Sequence, residues 1–416
     1  MEVVRRLLPL CLVVTACTAS NGEDTSPNNQ GVDGTQAEPA PGTPATPATP
    51  TPATPPAPPA PPPAPVPDRG AVFTISNDVV NTVVAFERNE DGTLGPAVAT
   101  PTGGAGTGGG LGSQGALALS VDGKVLVAVD PASNELSAFS VDGAKLTQTA
   151  HVSSTGTMPV SVAMHGDLVY VLNAGETACI SGFRLGKNGS LTFVEGSKHT
   201  LSAPAAGGAQ IAFSPAGDTL VVTEKAANVI DTFTVDAQGR ASDGEALPAS
   251  GMTPFGFAFT KDGTLVVSEA FGAMPGEGAV STYRLGAPHA NANGGFERDL
   301  VSVTASLKTS QTAPCWVTVA ADGKIAFSSN TPSGTISSFD VAANGALSLI
   351  GNGESGVTGP DTRPTDIALD RLGKRLYVLD SGTDDLAIFD VGQGGALTKR
   401  NVVIALPPTA QGLVAK

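Results

Sequence analysis

Six segments of the chain repeat one pattern of apolar and polar positions. Each has a short apolar run, a glycine turn, a second apolar run, a polar loop, and a third run carrying an aromatic. They begin at Ala116, Ser161, Gln210, Gly256, Trp316 and Asp366, and turn at Asp122-Gly123, His165-Gly166, Ala216-Gly217, Asp262-Gly263, Asp322-Gly323 and Leu372-Gly373. Apolar runs of strand length joined by such turns predict β-hairpins. Each second run ends on an acid or amide. An aromatic follows nine residues later at Asp130–Phe139, Glu224–Phe233, Asn330–Phe339 and Asp380–Phe389. From Asn173 to Phe183 the spacing is ten, and from Glu269 to Tyr283 it is fourteen, which marks an insertion at 271–278. A further turn, such as Asp142-Gly143 or Asn344-Gly345, follows the aromatic and predicts an outer fourth strand.

A seventh copy opens the repeat region, where Asn77 precedes Phe86 by nine residues. It has no first strand before it, but 412–415 at the other end of the chain fits that strand's pattern. The expectation is therefore an all-β, seven-bladed β-propeller with four-stranded blades, its first blade closed by the C-terminal strand. The repeated aromatics are expected to pack between neighbouring blades.

Composition agrees: 51 Gly and 33 Pro in 416 residues, with 15% charged, suit many short elements and tight turns. The N-terminal region follows a different pattern. Arg5 and Arg6 precede an apolar run, 7–14, too short to span a bilayer, which ends in Val14-Thr15-Ala16-Cys17. We read residues 1–16 as a lipoprotein signal peptide and Cys17 as the lipidated residue. Thr18, rather than Asp, after that cysteine favours the outer membrane. Residues 17–68 form a Pro/Ala/Thr-rich disordered tether with no Lys or Arg, and 69–416 form the propeller. The expected location is the cell envelope, with membrane contact through the lipid anchor only, and a monomeric state. Net charge is −15, and no Lys/Arg cluster exists to meet a phosphate backbone, which argues against nucleic-acid binding. Cys179 and Cys315 fall three blades apart in the repeat register, too far to pair readily.

The segments from Phe213 to Glu224 and from Val319 to Asn330 resemble blades of the propeller lactonase family, which includes 6-phosphogluconolactonases and carboxymuconate cyclases and is related to YVTN-repeat propellers. The resemblance spans 71–416. It implies a site over the central channel at the top face, lined by first-strand starts and second-strand ends, with basic groups at the first-strand starts acting on a sugar-acid lactone. Here the first-strand starts are Ala116, Ser161, Gln210, Gly256, Trp316, Asp366 and Leu413, and none is His. All four histidines, His151, His165, His199 and His289, fall outside the ring.

The register places Asn77, Asp130, Asn173, Glu224, Glu269, Asn330 and Asp380 around the channel mouth, with Gln210 and Asp366 nearby and Trp316 available to stack on a sugar ring. Such a ring admits two readings. Its carboxylates and amides can bind a ligand, or a hard cation such as Ca²⁺ or Mg²⁺, although no cofactor is required. Alternatively, each turns back on its own loop backbone. In a lactonase, Glu224 or Glu269 would be the general base. The competing function is a non-catalytic binding or scaffold propeller for an envelope glycan, protein or cation-bound ligand. The Gly-rich run 103–112 lacks the Gly-Lys-Ser/Thr and the helix of a phosphate loop, so it is read as a flexible connection across the top between the first two blades. Lys225 and Arg363 are the nearest bases to the mouth for an anionic ligand.

Overall fold

The structure is a computed structural model and describes residues 70–290 and 296–416. The expected signal peptide, Cys17 and the expected tether lie outside the described residues. Seven antiparallel sheets of four principal strands follow one another along the chain, as the repeat predicts. The innermost strands are Gln411–Ala415, Leu117–Leu119, Pro159–His165, Gly208–Phe213, Pro254–Phe259, Pro314–Val319 and Pro364–Leu369, for blades 1 to 7. Blades 3, 6 and 7 carry an extra two-residue strand on the third strand, and the insertion in blade 5 contains a short 3₁₀ turn at Phe271–Ala273.

Packing between blades explains the repeated aromatics. A twisted sheet with two apolar faces must cover both, and in a ring each blade covers its neighbour. Phe86, Phe139, Phe183, Phe233, Tyr283, Phe339 and Phe389 are all at most 2% exposed. Truncating one to alanine removes a large buried side chain at a cost of about 3–5 kcal/mol.

Closure uses both ends of the repeat region. Ala71–Ile75 pairs on one side with Thr82–Arg88 and on the other with Gln411–Ala415, in the register Val72 to Ala415 and Phe73 to Val414. The Ala71 N–H donates to the Lys416 carbonyl at 3.2 Å, and the Lys416 N–H to the Ala71 carbonyl at 2.9 Å.

Five other innermost strands begin with a register shift after their first residues: blades 3, 4, 5, 6 and 7. In four of them a proline opens the strand (Pro159, Pro254, Pro314, Pro364), preceded by a left-handed non-glycine residue (Met158, Thr253, Ala313, Arg363). A bulge at a strand start re-aims the next side chains. It is at this point that polar groups lace one blade to the next. Ser161 Oγ accepts from the Ile211 N–H at 3.1 Å, and the Gln210 carboxamide accepts from Phe257 N–H (2.7 Å) and donates to Phe257 C=O (2.9 Å). Ser268 Oγ donates to Cys315 C=O at 2.6 Å, and Ser329 Oγ to Thr365 C=O at 2.7 Å. Asp366 Oδ2 accepts from Gly412 N–H at 2.9 Å, which fastens blade 7 to the closing strand.

Asp366 is 2% exposed, and burial pushes its pKa up to about 7; Asp380, also buried, is pushed up to about 7. Their unfolded values are near about 4. The folded state therefore holds these protons more tightly, and the associated stability is present below about pH 4 and is lost as pH rises to about 7. We expect a higher Tm at pH 5 than at pH 8, and a shallower slope in Asp366→Asn; calorimetry across that range tests it, and a Tm that climbs from pH 5 to 8 would contradict it. Deleting 411–416 removes the closing strand, and we expect the cooperative melt to be lost.

Candidate functional site at the channel mouth

The innermost strands line the channel, so their starts form its mouth. The strongest feature there is not a ring of side chains but a piece of the chain itself. The Gly-rich connection between blades 1 and 2 does run across the top as expected, but it does not simply bridge two neighbours. Its first half is pinned by Asn77, whose amide donates to the Thr107 hydroxyl at 2.9 Å and to the Gly109 carbonyl at 2.5 Å, while Asn77 Oδ1 accepts from the Thr107 N–H at 3.1 Å. Gly106 is required here, since a Cβ would stand 2.2 Å from the Asn77 carbonyl carbon.

The second half enters the mouth and touches blades on opposite sides of it. Leu111 N–H donates to Gln411 Oε1 at 3.1 Å (blade 1), Ser113 Oγ to Val160 C=O at 2.9 Å (blade 3), and Gln114 N–H to Ala209 C=O at 3.0 Å (blade 4). On blade 6 the Trp316 indole N–H donates to the Ser113 carbonyl at 2.9 Å. There too the Gln114 carboxamide pairs with the Val317 backbone, accepting its N–H at 2.9 Å and donating to its C=O at 2.7 Å. Blade 5 makes room for this. A Cβ on Gly256 would meet Gln114 Oε1 at 2.1 Å, so the position filled by Ser, Gln, Trp or Asp in blades 3, 4, 6 and 7 is glycine in blade 5.

Lys225, next along the chain from Glu224, reaches the same place and donates to the Gly112 carbonyl. Its Nζ lies 4.9 Å from the Phe255 ring centroid, and Phe255 packs on Trp316 with ring centroids 4.9 Å apart. Burial pulls the Lys225 pKa down to about 8, because the charged form gives up water for mostly apolar neighbours. Trp316 is 5% exposed. Arg363 occupies the left-handed position before Pro364 and offers its carbonyl to the Ser381 hydroxyl at 2.9 Å.

The seven acids and amides expected around the mouth stand one strand back from it, about 4.8 Å outward. All are at most 1% exposed, and six of them are terminal residues of second strands, whereas Asn77 sits two residues beyond its strand with φ 52°. Asp130 accepts from Thr102 (2.5 Å), Ser137 (2.7 Å) and Asn81 (2.9 Å), and burial raises its pKa. Glu269 accepts from Ser281 (2.5 Å) and Ser306 (2.7 Å), and burial raises its pKa as well. Glu224 accepts from the Ser202 N–H at 3.1 Å and from the Ser202 hydroxyl. The Asp231 carboxyl beside it is driven well above the usual range by burial and by the Glu224 charge. Asn330 donates to Thr335 (3.0 Å) and Ser337 (2.9 Å), and Asn173 donates to Ser154 C=O at 3.5 Å.

These are neither Asx turns nor a shared ring: Asp130, Glu224 and Glu269 are clamped by hydroxyl groups, Asn77 holds the Gly-rich connection, and the buried Oδ1 atoms of Asn173, Asn330 and Asp380 have no hydrogen-bond partner among the described residues. Among the described residues, no group of three or more His, Cys, Asp and Glu comes together to hold a metal ion. Gln210 and Asp366 lie at the mouth as expected, but both are engaged in lacing, and Trp316 is engaged by the Ser113 carbonyl. The histidines lie away from the mouth, for example His151 on Glu135 at 3.1 Å and His199 on Asp243 at 3.0 Å. Cys179 and Cys315 are free and buried.

Reasoning from the sequence missed two things. One is the polar residue two before the third-strand aromatic (Ser137, Asp231, Ser281, Ser337), which faces the second-strand acid or amide in four blades. That spacing is visible in the sequence. The other is the meeting of 111–114 with Lys225 and Trp316, for which the isolated Gly256 is the one local sign.

Comparison with known proteins agrees with this architecture. A family model described as lactonase, 7-bladed beta-propeller, matches residues 67–206, 196–270 and 278–410. No curated protein matches the chain. Among solved structures, a putative 6-phosphogluconolactonase from Bacteroides fragilis superposes with TM-score 0.62 at 19% identity, covering 85% of this chain and 99% of that one. A protein from Lactobacillus plantarum gives 0.63 at 19%, covering 84% and 99%. The periplasmic gluconolactonase of Pseudomonas aeruginosa gives 0.60 at 16%, covering 83% and 98%. At these identities the structural likeness speaks for the fold. With the family model matched across nearly all of the propeller, the chain belongs to the lactonase family of seven-bladed β-propellers.

Proposed function

We propose that this protein hydrolyses lactones at the mouth of its channel, and that it does so in the cell envelope, anchored through Cys17. The observation that carries the chemistry is the Lys225 amine, a base at the mouth whose pKa lies near about 8. In its neutral form it takes a proton from water as the water oxygen bonds to the lactone carbonyl carbon. The ring C–O bond then breaks, and the Lys225 ammonium returns the proton to the departing alkoxide. The product is a hydroxy acid, the amine is restored, and no metal or cofactor is needed. Glu224 and Glu269 remain the alternative bases, but both have zero exposure and are held by hydroxyl groups.

Support for the location comes from the lipobox-like Val14–Cys17 and the Pro-rich tether, which together suit a domain held clear of a membrane. A protein of the same fold is a periplasmic gluconolactonase, so lactone chemistry outside the cytoplasm has a counterpart on this scaffold. The substrate is a small lactone, and the protein works as a monomer.

A second reading, a non-catalytic propeller that binds an envelope glycan or protein, is favoured by the occupied mouth and by carboxylates sealed in the seams. It predicts recovery of an envelope partner by pull-down and no turnover of any lactone.

For the hydrolase, kcat/KM should rise with pH and level off above about pH 8, because the deprotonated amine is the active form. Lys225→Met should lower it by roughly 10²–10³-fold without loss of folding. Lys225→Arg should not rescue it, since a guanidinium stays protonated. A flat pH profile, or loss of turnover in Glu224→Gln with Lys225→Met still active, would move the base elsewhere.

A further inference from the structure

The segment Leu111–Gln114 makes the contacts a bound ligand would make. Two successive carbonyl oxygens meet side-chain donors of the mouth, Gly112 on Lys225 and Ser113 on the Trp316 indole N–H. The Gln114 carboxamide takes a backbone N–H and C=O of Val317. These are polar contacts to the innermost strand of blade 6 and to the residue that follows the second strand of blade 4.

The attachment is reversible in its construction. Where the half pinned by Asn77 meets the half in the mouth lie Gly108, Gly109 and Gly110, and a Cβ at any of the three would meet nothing within 4 Å. Gly108 and Gly109 still belong to the pinned half, through the Gly108 N–H on the Asn77 carbonyl at 2.8 Å and the Asn77 amide on the Gly109 carbonyl, so the hinge itself is Gly110. Gln114 is itself only partly buried. Leu111 is anchored in the core formed by the first blades, whereas Gly112–Gln114 is fastened by hydrogen bonds, each of modest net worth, and flanked by the left-handed glycines Gly112 and Gly115.

We infer that Gly112–Gln114 is a displaceable occupant of the substrate site. The lactone carbonyl oxygen takes the Trp316 N–H now held by Ser113, and the attacking water takes the position of the Gly112 carbonyl oxygen beside Lys225. This rests on the hydrolase reading for its ligand, and it adds Trp316 as the donor to the oxygen on which charge develops as water attacks. While the segment is seated the site is closed, so apparent affinity is reduced by the fraction of molecules that are open.

Trp316 is the only tryptophan in the chain, so its fluorescence reports on this site alone. Three measurements with glucono-δ-lactone as the probe test the inference: hydrogen exchange at the 111–115 amides, Trp316 emission, and steady-state kinetics of wild type and Gln114→Ala. Seating lost through Gln114→Ala should lower KM roughly five- to tenfold with kcat unchanged or raised, and saturating lactone should speed exchange at the Gln114 amide. Trp316→Phe, which keeps the aromatic packing on Phe255 and loses the N–H, should lower kcat about 10²-fold. Calorimetry on each variant confirms that it is folded.

Turnover with unchanged exchange at 111–115 and an unchanged KM in Gln114→Ala overturns the inference and leaves the hydrolase reading standing. Saturable Trp316 emission change and faster exchange without turnover supports the site and removes the hydrolase reading. No turnover in either form, with Trp316 emission blind to lactone, overturns both.

Discussion

Everything in this fold depends on the closure of a ring. A single four-stranded blade here has apolar side chains on both faces and cannot bury them alone; each face needs the next blade, and the last needs the first. The pairing of Ala71–Ile75 with Gln411–Ala415 meets that condition, and all five residues of the former strand are fully buried. The same constraint explains the polar lacing at the innermost strand starts. Near the axis the strands converge, and the bulges there leave backbone groups of one blade facing the next. Ser161, Gln210, Ser268, Ser329 and Asp366 satisfy them. The residues closest to the channel are therefore engaged in holding the ring before any of them can act on a ligand.

What was legible in the sequence follows from the same physics. Turn glycines, strand-length apolar runs and the aromatic nine residues after an acid are local signals set by hairpin geometry, and they located every blade and the closing strand. The site was less legible because its position depends on how blades converge. The acids and amides at second-strand ends do fall at equivalent places, but the first strands stand between them and the axis. Their partners, such as Ser137 for Asp130 and Ser281 for Glu269, lie on the third strand and turn each acid into part of a seam. The Gly-rich run was ambiguous for a related reason. Glycine spacing describes what the backbone is free to do, whereas the contact of Ser113 with Trp316 joins residues 203 positions apart.

Burying so many acids in the seams has an electrostatic consequence. Asp130, Asp231, Glu269, Asp366 and Asp380 all have raised pKa values, with desolvation the first cause in each case. A buried carboxylate is costly unless hydrogen-bonded or protonated. The hydroxyl groups around Asp130 and Glu269 offset part of that cost, while Asp231, beside Glu224, is the group most strongly biased towards its neutral form. A neutral acid donates where a charged one only accepts, so Asp231 and Glu224 can share one hydrogen bond where two carboxylates would repel.

Lys225 shows the opposite environment only a residue away. Glu224 turns back into the seam of blade 4, and the alternation of a strand end sends the next side chain towards the mouth, where Phe255 and the Gly112 carbonyl receive it. The same apolar surroundings that raise the acids' pKa values lower this one, so desolvation brings acid and amine towards a common range near neutrality. A base of that kind is useful only where water can reach it on demand. The fold fills the mouth with a piece of its own backbone, and the seated segment keeps Lys225 in surroundings that hold its pKa down; in the proposed reaction, its departure would leave room for water and a small ring between Lys225 and Trp316.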